Sequence, residues 1–261
     1  ERGNMMKNLI QLILIVLFLF TFTNSVFAQK IKHPGQEVSG FVSLSYESKI
    51  ILPEGSWTVA GMTKSHGYPP WKTVSLVQSI SSSIKALLVI EYPGNPVNNG
   101  WYKGSNNTCD DYEGQNSNYH SAKIKEQANS IISGYCNSVY VENYIDASLW
   151  DSWDIMEKTH DYITDNDLRY PPALIILDSK FYSKINLLNI YYGYNPDFSS
   201  VATTAKVNWK KSDWHKYNIE KYPSKNDFMK KIIAIQNNTI ASSLPGFKKR
   251  KPVDLSLYSF E

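Results

Sequence analysis

Five consecutive apolar residues, Ala86-Leu87-Leu88-Val89-Ile90, sit inside the run from Ile84 to Tyr92. A strand alternates its side chains between two faces, so an unbroken apolar run leaves no face for water and marks a central strand. The segments before it alternate instead. Val42, Leu44 and Tyr46 flank Ser43 and Ser45, Pro53-Glu54-Gly55 reads as a turn, and Trp57-Thr58-Val59-Ala60 opens another strand. Gly67 to Pro70 breaks the chain before Val74, Leu76 and Ile80. Turns this short join antiparallel neighbours, because parallel pairing needs a crossover of a dozen residues or more.

Later segments read differently. Ser148 with Asp151 three residues on resembles a capping box, and Leu149, Trp153, Met156, His160 and Ile163 recur at helical spacing until Pro171-Pro172. A second helix is expected from Ser224 as its cap, with Phe228, Met229, Ile232, Ile235 and Ile240 on the buried face and Pro245-Gly246 as its end. Lys248 to Lys251 follow, where cations suit a helix C-terminus and could also touch an anionic polymer. Ala173–Leu177 and Leu187–Tyr194 read as two further strands. Strands first, helices later and no βαβ rhythm predict an α+β fold: a mainly antiparallel sheet with about two helices packed on one face.

The N-terminal segment predicts a destination. Lys7 precedes an apolar run from Leu9 to Phe22, and Val26-Phe27-Ala28 places small residues at the −3 and −1 positions of a cleavage site after Ala28. This is the pattern of a secretory signal peptide, and the run is shorter than the ~20 residues of a spanning helix. Residues 1–4 precede the first methionine and read as upstream sequence. The expected organisation is therefore residues 1–28 as leader and 29–261 as a single α+β domain, exported to the periplasm or secreted, with no membrane span after cleavage. The formal net charge of +3 carries no basic stripe, so nucleic acid is not expected as a partner.

Cys109 and Cys136 are the only cysteines. In an exported chain they are expected as a disulfide, worth about 3.5 kcal/mol in the chain-entropy model. Neither has close Cys or His neighbours, so no metal is expected, and no cofactor motif is present. From Pro93 to Asn118 the chain is rich in Pro, Gly and Asn, a long connection of the kind that carries function or disorder. It offers Trp101, Asp110, Asp111 and Tyr112, with Tyr102 and Glu113 beside them. Aromatic planes next to carboxylates suit a ligand surface for a glycan or envelope component; alternatively Trp101 packs the loop down while the acids stay in water.

His160, on the apolar stripe of the first helix, could act as a base with Asp161 or Asp165, or sit at the core edge bonded to backbone. Asp165, Asn166 and Asp167 lack the glycine of a calcium loop and are unfavourable at a helix C-terminus. There is no Gly-x-Ser-x-Gly elbow, no His-Glu-x-x-His and no phosphate-cradling glycine loop. Asn106 and Asn237 each begin an Asn-Asn-Thr triplet that matches a glycosylation acceptor.

Leu52-Pro53-Glu54-Gly55-Ser56-Trp57-Thr58-Val59, the cysteine pair, and the series Trp209, Trp214 and Pro245-Gly246-Phe247 resemble a family of uncharacterised exported bacterial proteins. The resemblance implies a leader, a strand entry, a staple and a closing helix, and no catalytic residues. The expected function is an exported binding or envelope-associated module; the alternative is a hydrolase acting on an envelope or extracellular polymer through carboxylates or His160. Export is expected to leave a mature N-terminus at Gln29, which N-terminal sequencing of the exported protein reads directly. Retention of Leu9–Phe22 there would mean an anchor.

Overall fold

The computed structural model describes residues 28–45, 48–66, 70–94, 118–128, 131–142, 154–183, 186–201, 211–215 and 217–260, with backbone alone for 118–134 and 142. Strands β2 (Glu37–Val38), β5 (Trp57–Lys64), β6 (Trp71–Ile80), β7 (Ser83–Pro93), β8 (Asn118–Ala128), β9 (Ile131–Glu142), β10 (Leu174–Tyr182) and β11 (Leu187–Tyr194) form one sheet. Their order is β2-β5-β6-β7-β11-β10-β9-β8, and every neighbouring pair is antiparallel. A smaller mixed sheet joins β1 (Gln29–Lys30), β3 (Phe41–Ser43), β4 (Lys49–Ile51) and β12 (Val253–Asp254). Two α-helices complete the described fold, α1 (Asp154–Asp165) and α2 (Pro223–Phe247). The fold is α+β, as its patterning predicts.

The helices do not share a face of the sheet. On β7, Ala86, Leu88 and Ile90 belong to the core that contains Met229, Ile232 and Ile240 of α2, together with Val42, Ile50 and Val253 of the small sheet. Leu87 and Val89 point the other way, into a second cluster with Ile155, Met156 and Ile163 of α1. One helix therefore covers each side. A strand apolar on both faces requires this, since each fully buried aliphatic side chain contributes roughly 1.5–3 kcal/mol only when its own face is covered.

Local chemistry explains the element ends. Ser81 and Ser82 take φ of +49° and +60° between β6 and β7, the left-handed pair that a two-residue type I′ hairpin turn needs. Asp167 has φ +52°, and the Leu168 and Asp167 N–H groups donate to Ile163 O (2.9 Å) and Thr164 O (3.1 Å). This is a Schellman closure of α1, with aspartate at the position usually given to glycine and Leu168 packing on the cluster of Ile163. The acids at the end of α1 thus have a structural role at Asp167.

Helix α2 differs from expectation at both ends. Its N-cap is Tyr222, without a side-chain cap, and Pro223 opens the first turn, so Ser224 lies inside the helix and does not cap it. Proline suits that position because its missing N–H has no helical partner there. The helix also continues through Pro245 and Gly246 to Phe247. Lys225 in the first turn is buried, bonded to Asp213, with its ammonium 4.6 Å from the Trp214 ring centroid. At mid-helix, Gln236 Nε2 donates to Asp178 O (3.0 Å), Ser138 O (3.3 Å) and Ser179 Oγ (3.1 Å), while its Oε1 accepts from Asn137 (3.1 Å). Asn137 also donates to Asn237 (2.9 Å), and Thr239 is fully buried, so the acceptor triplet at Asn237 is spent on packing.

Strands β8 and β9 were not foreseen in the patterning; β8 is polar and lies at the sheet edge, where lysines and other polar residues keep a strand from pairing further. Among the described residues no helix is long and apolar enough to cross a membrane. Ile232→Ala is expected to cost about 2–5 kcal/mol in urea unfolding, since Ile232 is fully buried. Ser224→Ala, by contrast, is expected to stay within about 0.5 kcal/mol.

Candidate functional site

Cys109, Trp101, Asp110, Asp111 and Tyr112 lie outside the described residues. Cys136 is completely buried, in a cluster with Tyr182, Leu187 and Trp71, and among the described residues no cysteine is free. His160 is half-buried on α1 and shares a 2.6 Å hydrogen bond with the Tyr170 hydroxyl, the rings stacked 5.6 Å apart. No described carboxylate bonds to its ring. Burial, then the charge of Asp161, pushes the Tyr170 phenol up to about 12, so it stays protonated at neutral pH.

A different group of residues converges on the α1 face of the large sheet. Register places Thr63 opposite Thr73, Thr73 opposite Glu91, Glu91 opposite Asn189, Asn189 opposite Lys180, and Lys180 opposite Cys136. Directly opposed residues of antiparallel strands share a face. These six positions on six adjacent strands therefore make one transverse row, five of them polar or charged. The next row toward the α1 core carries Gly61, Ser75, Val89, Tyr191, Asp178 and Ser138. Gly61 admits the helix: a Cβ there would stand 3.0 Å from Lys158 Cβ and 3.2 Å from Ile155 Cδ1. Thr159 of α1 donates to Ile155 O (2.6 Å) and bonds to Ser75 Oγ (2.7 Å), fixing the helix against the row.

Beyond the N-terminal end of α1 the sheet face opens into a groove of about 380 Å³. Glu91, Asn189, Thr73, Trp71, Thr63 and Asp154 are among the residues that line it. Asn189 is 8 % exposed; its Nδ2 donates to Glu91 Oε2 at 2.9 Å, while its Oδ1 has no hydrogen-bond partner. A buried acceptor left without a partner costs on the order of 1–3 kcal/mol; among the described residues, Asn137 Oδ1, Ser138 Oγ, Trp214 Nε1 and Thr239 Oγ1 are likewise buried without a hydrogen-bond partner. Trp71 is tied to Ser65 by two bonds, Ser65 N–H to Trp71 O and Trp71 N–H to Ser65 Oγ, both 2.9 Å.

Burial raises the Glu91 carboxyl above its ordinary range, against the smaller opposing effects of the Asn189 hydrogen bond and the Lys180 charge. Burial likewise holds the Tyr191 phenol protonated well beyond its usual range, assisted by the neighbouring Asp178, Glu91 and Tyr140. The face is thus an acceptor-rich, partly dehydrated polar patch set in an apolar sheet. Among the described residues, no cluster of His, Cys, Asp or Glu side chains is arranged to hold a metal ion.

Sequence reasoning overlooked Glu91, Asn189, Lys180 and Asp178. Each interrupts an otherwise apolar strand, which is the one signal that could have found them: a charge or amide inside a buried strand needs a local partner.

No protein-family model matches the chain, and no curated protein matches it. Among solved structures it is similar to one titled as a possible transcriptional regulator, YydK, from Bacillus subtilis, with 13% identity and a TM-score of 0.26 over 74% of this chain and 81% of that one. A likeness at that level carries no argument about fold or function.

Glu91 has a consequence for stability. An unfolded glutamate titrates near 4.5, and the folded one higher. Between those values the native state holds a proton that the unfolded chain has released, so stability falls as pH rises through the interval. Glu91→Gln keeps an acceptor for Asn189 and removes the ionisation. It is expected to flatten that decline and raise the melting temperature at pH 7, measured by thermal unfolding between pH 4 and pH 8.

Proposed function

We propose that the protein is an exported binding module, acting in the periplasm or outside the cell, whose recognition site is the groove beside α1. The observation that carries this reading is the groove lined by Glu91 and Asn189, a carboxyl and an amide bonded to each other within an otherwise apolar sheet and bordering an accessible cleft. Such convergent polar groups in a cleft of ~300–1,000 Å³ are what small-ligand sites contain. Export rests on the leader pattern of residues 5–28, together with the likeness to uncharacterised exported bacterial proteins. The Cys109–Cys136 disulfide belongs to the same reading; the burial of Cys136 and the absence of a free cysteine among the described residues support it.

A hydrolase acting on an envelope polymer is the second reading, and Glu91 favours it. A carboxyl held above its ordinary range can retain a proton for a leaving group. Binding and hydrolysis separate on one substitution, because Glu91→Gln abolishes acid catalysis yet leaves a binding groove its amide and aromatic contacts.

The test is a thermal-shift screen of the purified protein against a library of soluble metabolites and envelope-derived fragments. Stabilising compounds are expected to lose most of their shift in Asn189→Leu and to keep it in Lys231→Ala, an exposed position on α2. Equal shifts in both variants would remove the groove as the recognition site.

A further inference from the structure

We infer that the outer face of the small sheet, together with the turn that follows α2, is a basic platform that seats the protein on an anionic phospholipid bilayer. This stands independently of the groove. The turn supplies four consecutive cations, Lys248, Lys249, Arg250 and Lys251, all exposed. It is a Schellman closure: the Lys251 N–H donates to Gly246 O (2.9 Å) and the Arg250 N–H to Phe247 O (3.0 Å), with Arg250 at φ +61°. Glycine takes that left-handed position readily, and a side chain there is unfavourable. The chain keeps an arginine where backbone stability alone favours glycine, and the closed turn presents its four charges from a fixed backbone.

Strand register adds two more. Lys30 is paired with Ser43, and Ser43 with Lys49, so the three share one face of the small sheet. Val42, Ile50 and Val253 point from these strands into the core, so the row faces outward, with Lys30 exposed and Lys49 half-buried. Strand β12 pairs with β4 at Val253 and Ile50, which brings Lys49 level with Pro252, directly after the cationic turn. The Asp254 N–H donates to Ser243 Oγ of α2 (3.1 Å), so helix and small sheet lie side by side in one layer. Strands stand about 4.8 Å apart, so Lys30 and Lys49 are roughly 10 Å from each other and the turn begins one strand further on. The formal net charge of the whole chain is only +3, so six cations gathered here leave the remainder net negative. Lys30 and Lys49 are far from the turn in sequence, and the fold assembles a basic stripe that composition does not show.

Two features select a bilayer over a soluble polyanion. The platform is built on a sheet face, which meets a plane better than it wraps a chain. Phe41 and Ile51, opposed in the next row of the same outer face, are half-buried and set apolar side chains beside the cations. A bilayer interface takes up apolar groups and cations together, and affinity grows with both; a polyphosphate or a duplex answers the charges alone. Asp254 lies opposite Ile51 in that row, and its Oδ1 accepts from the Ser256 N–H at 2.9 Å. Each cation near an anionic bilayer strengthens binding roughly fivefold. The attraction extends only about 8 Å at physiological salt, so the cations act together only when they face the surface together.

The experiment is cosedimentation of the exported protein with vesicles of phosphatidylglycerol and phosphatidylcholine. Pure phosphatidylcholine vesicles, soluble polyphosphate and a DNA duplex are the other probes. Binding to the anionic vesicles and not the neutral ones is expected, weakening as salt is added. Lys249→Glu with Lys251→Glu and, separately, Lys30→Glu with Lys49→Glu are each expected to weaken it at least tenfold. Lys158→Glu with Lys221→Glu makes the same change of charge at exposed positions on α1 and ahead of α2, and is expected to keep binding within twofold. Arg250→Gly suits the local backbone, guards against misfolding of the other variants, and is expected to weaken binding severalfold. Equal binding to neutral vesicles, or binding to neither, overturns the proposal. Tighter binding of polyphosphate or DNA than of the anionic vesicles overturns the bilayer assignment. Equal loss in all three paired variants is an effect of net charge and overturns the platform, as does full binding by the Lys30 and Lys49 variant.

Discussion

Strand β7 has no solvent face between Ala86 and Ile90, and the architecture follows from that constraint. Its Ala86, Leu88 and Ile90 side is closed by α2 and the small sheet, its Leu87 and Val89 side by α1. Because β6 and β11 pair with it in register, the same alternation spreads across the neighbouring strands, and the two clusters grow outward from one strand. Helix α2 is then held in place by Gln236, whose amide reaches the backbone of two strands at once. A buried amide satisfied in this way fixes one docking position among the many that an apolar stripe alone would accept.

The α1 face is covered unevenly. Where α1 lies, the sheet presents Leu87, Val89 and Ile176; past its N-terminus, the sheet turns polar at Glu91, Asn189 and Lys180. Burying a carboxyl and leaving an amide oxygen unanswered works against stability, and a purely structural sheet would place leucine or valine there. In this row that cost falls on Glu91 and Asn189.

Much of the fold was legible in the sequence. The central strand, the antiparallel turns, both helices and the strands from Leu174 and Leu187 follow from periodicity, because burial imposes a period that residues display. The opposite-face placement of the helices was present too, in the doubly apolar run of β7, but it follows only when each face is asked for its cover. The cap at Ser224 failed because proline at the first helical position competes with a capping box and won. Strand β8 stayed hidden because edge polarity erases alternation, and β9 because the buried polar pair Asn137 and Ser138 interrupts its apolar pattern. Glu91 and Asn189 meet by pairing between strands about a hundred positions apart, and no local pattern encodes that distance.

The segment from Val253 to Phe260 closes the core from far along the chain. Val253 pairs with Ile50 in the small sheet, while Tyr192 and Tyr194 donate through their hydroxyls to the carbonyls of Tyr258 (3.1 Å) and Phe260 (3.3 Å). The Tyr192 and Tyr258 rings stand 5.1 Å apart, as do those of Tyr194 and Phe260. In the order of synthesis, β4 and β11 must wait, with an open edge and uncovered aromatic rings, until this segment has left the ribosome. The native core therefore closes only after this segment has been made.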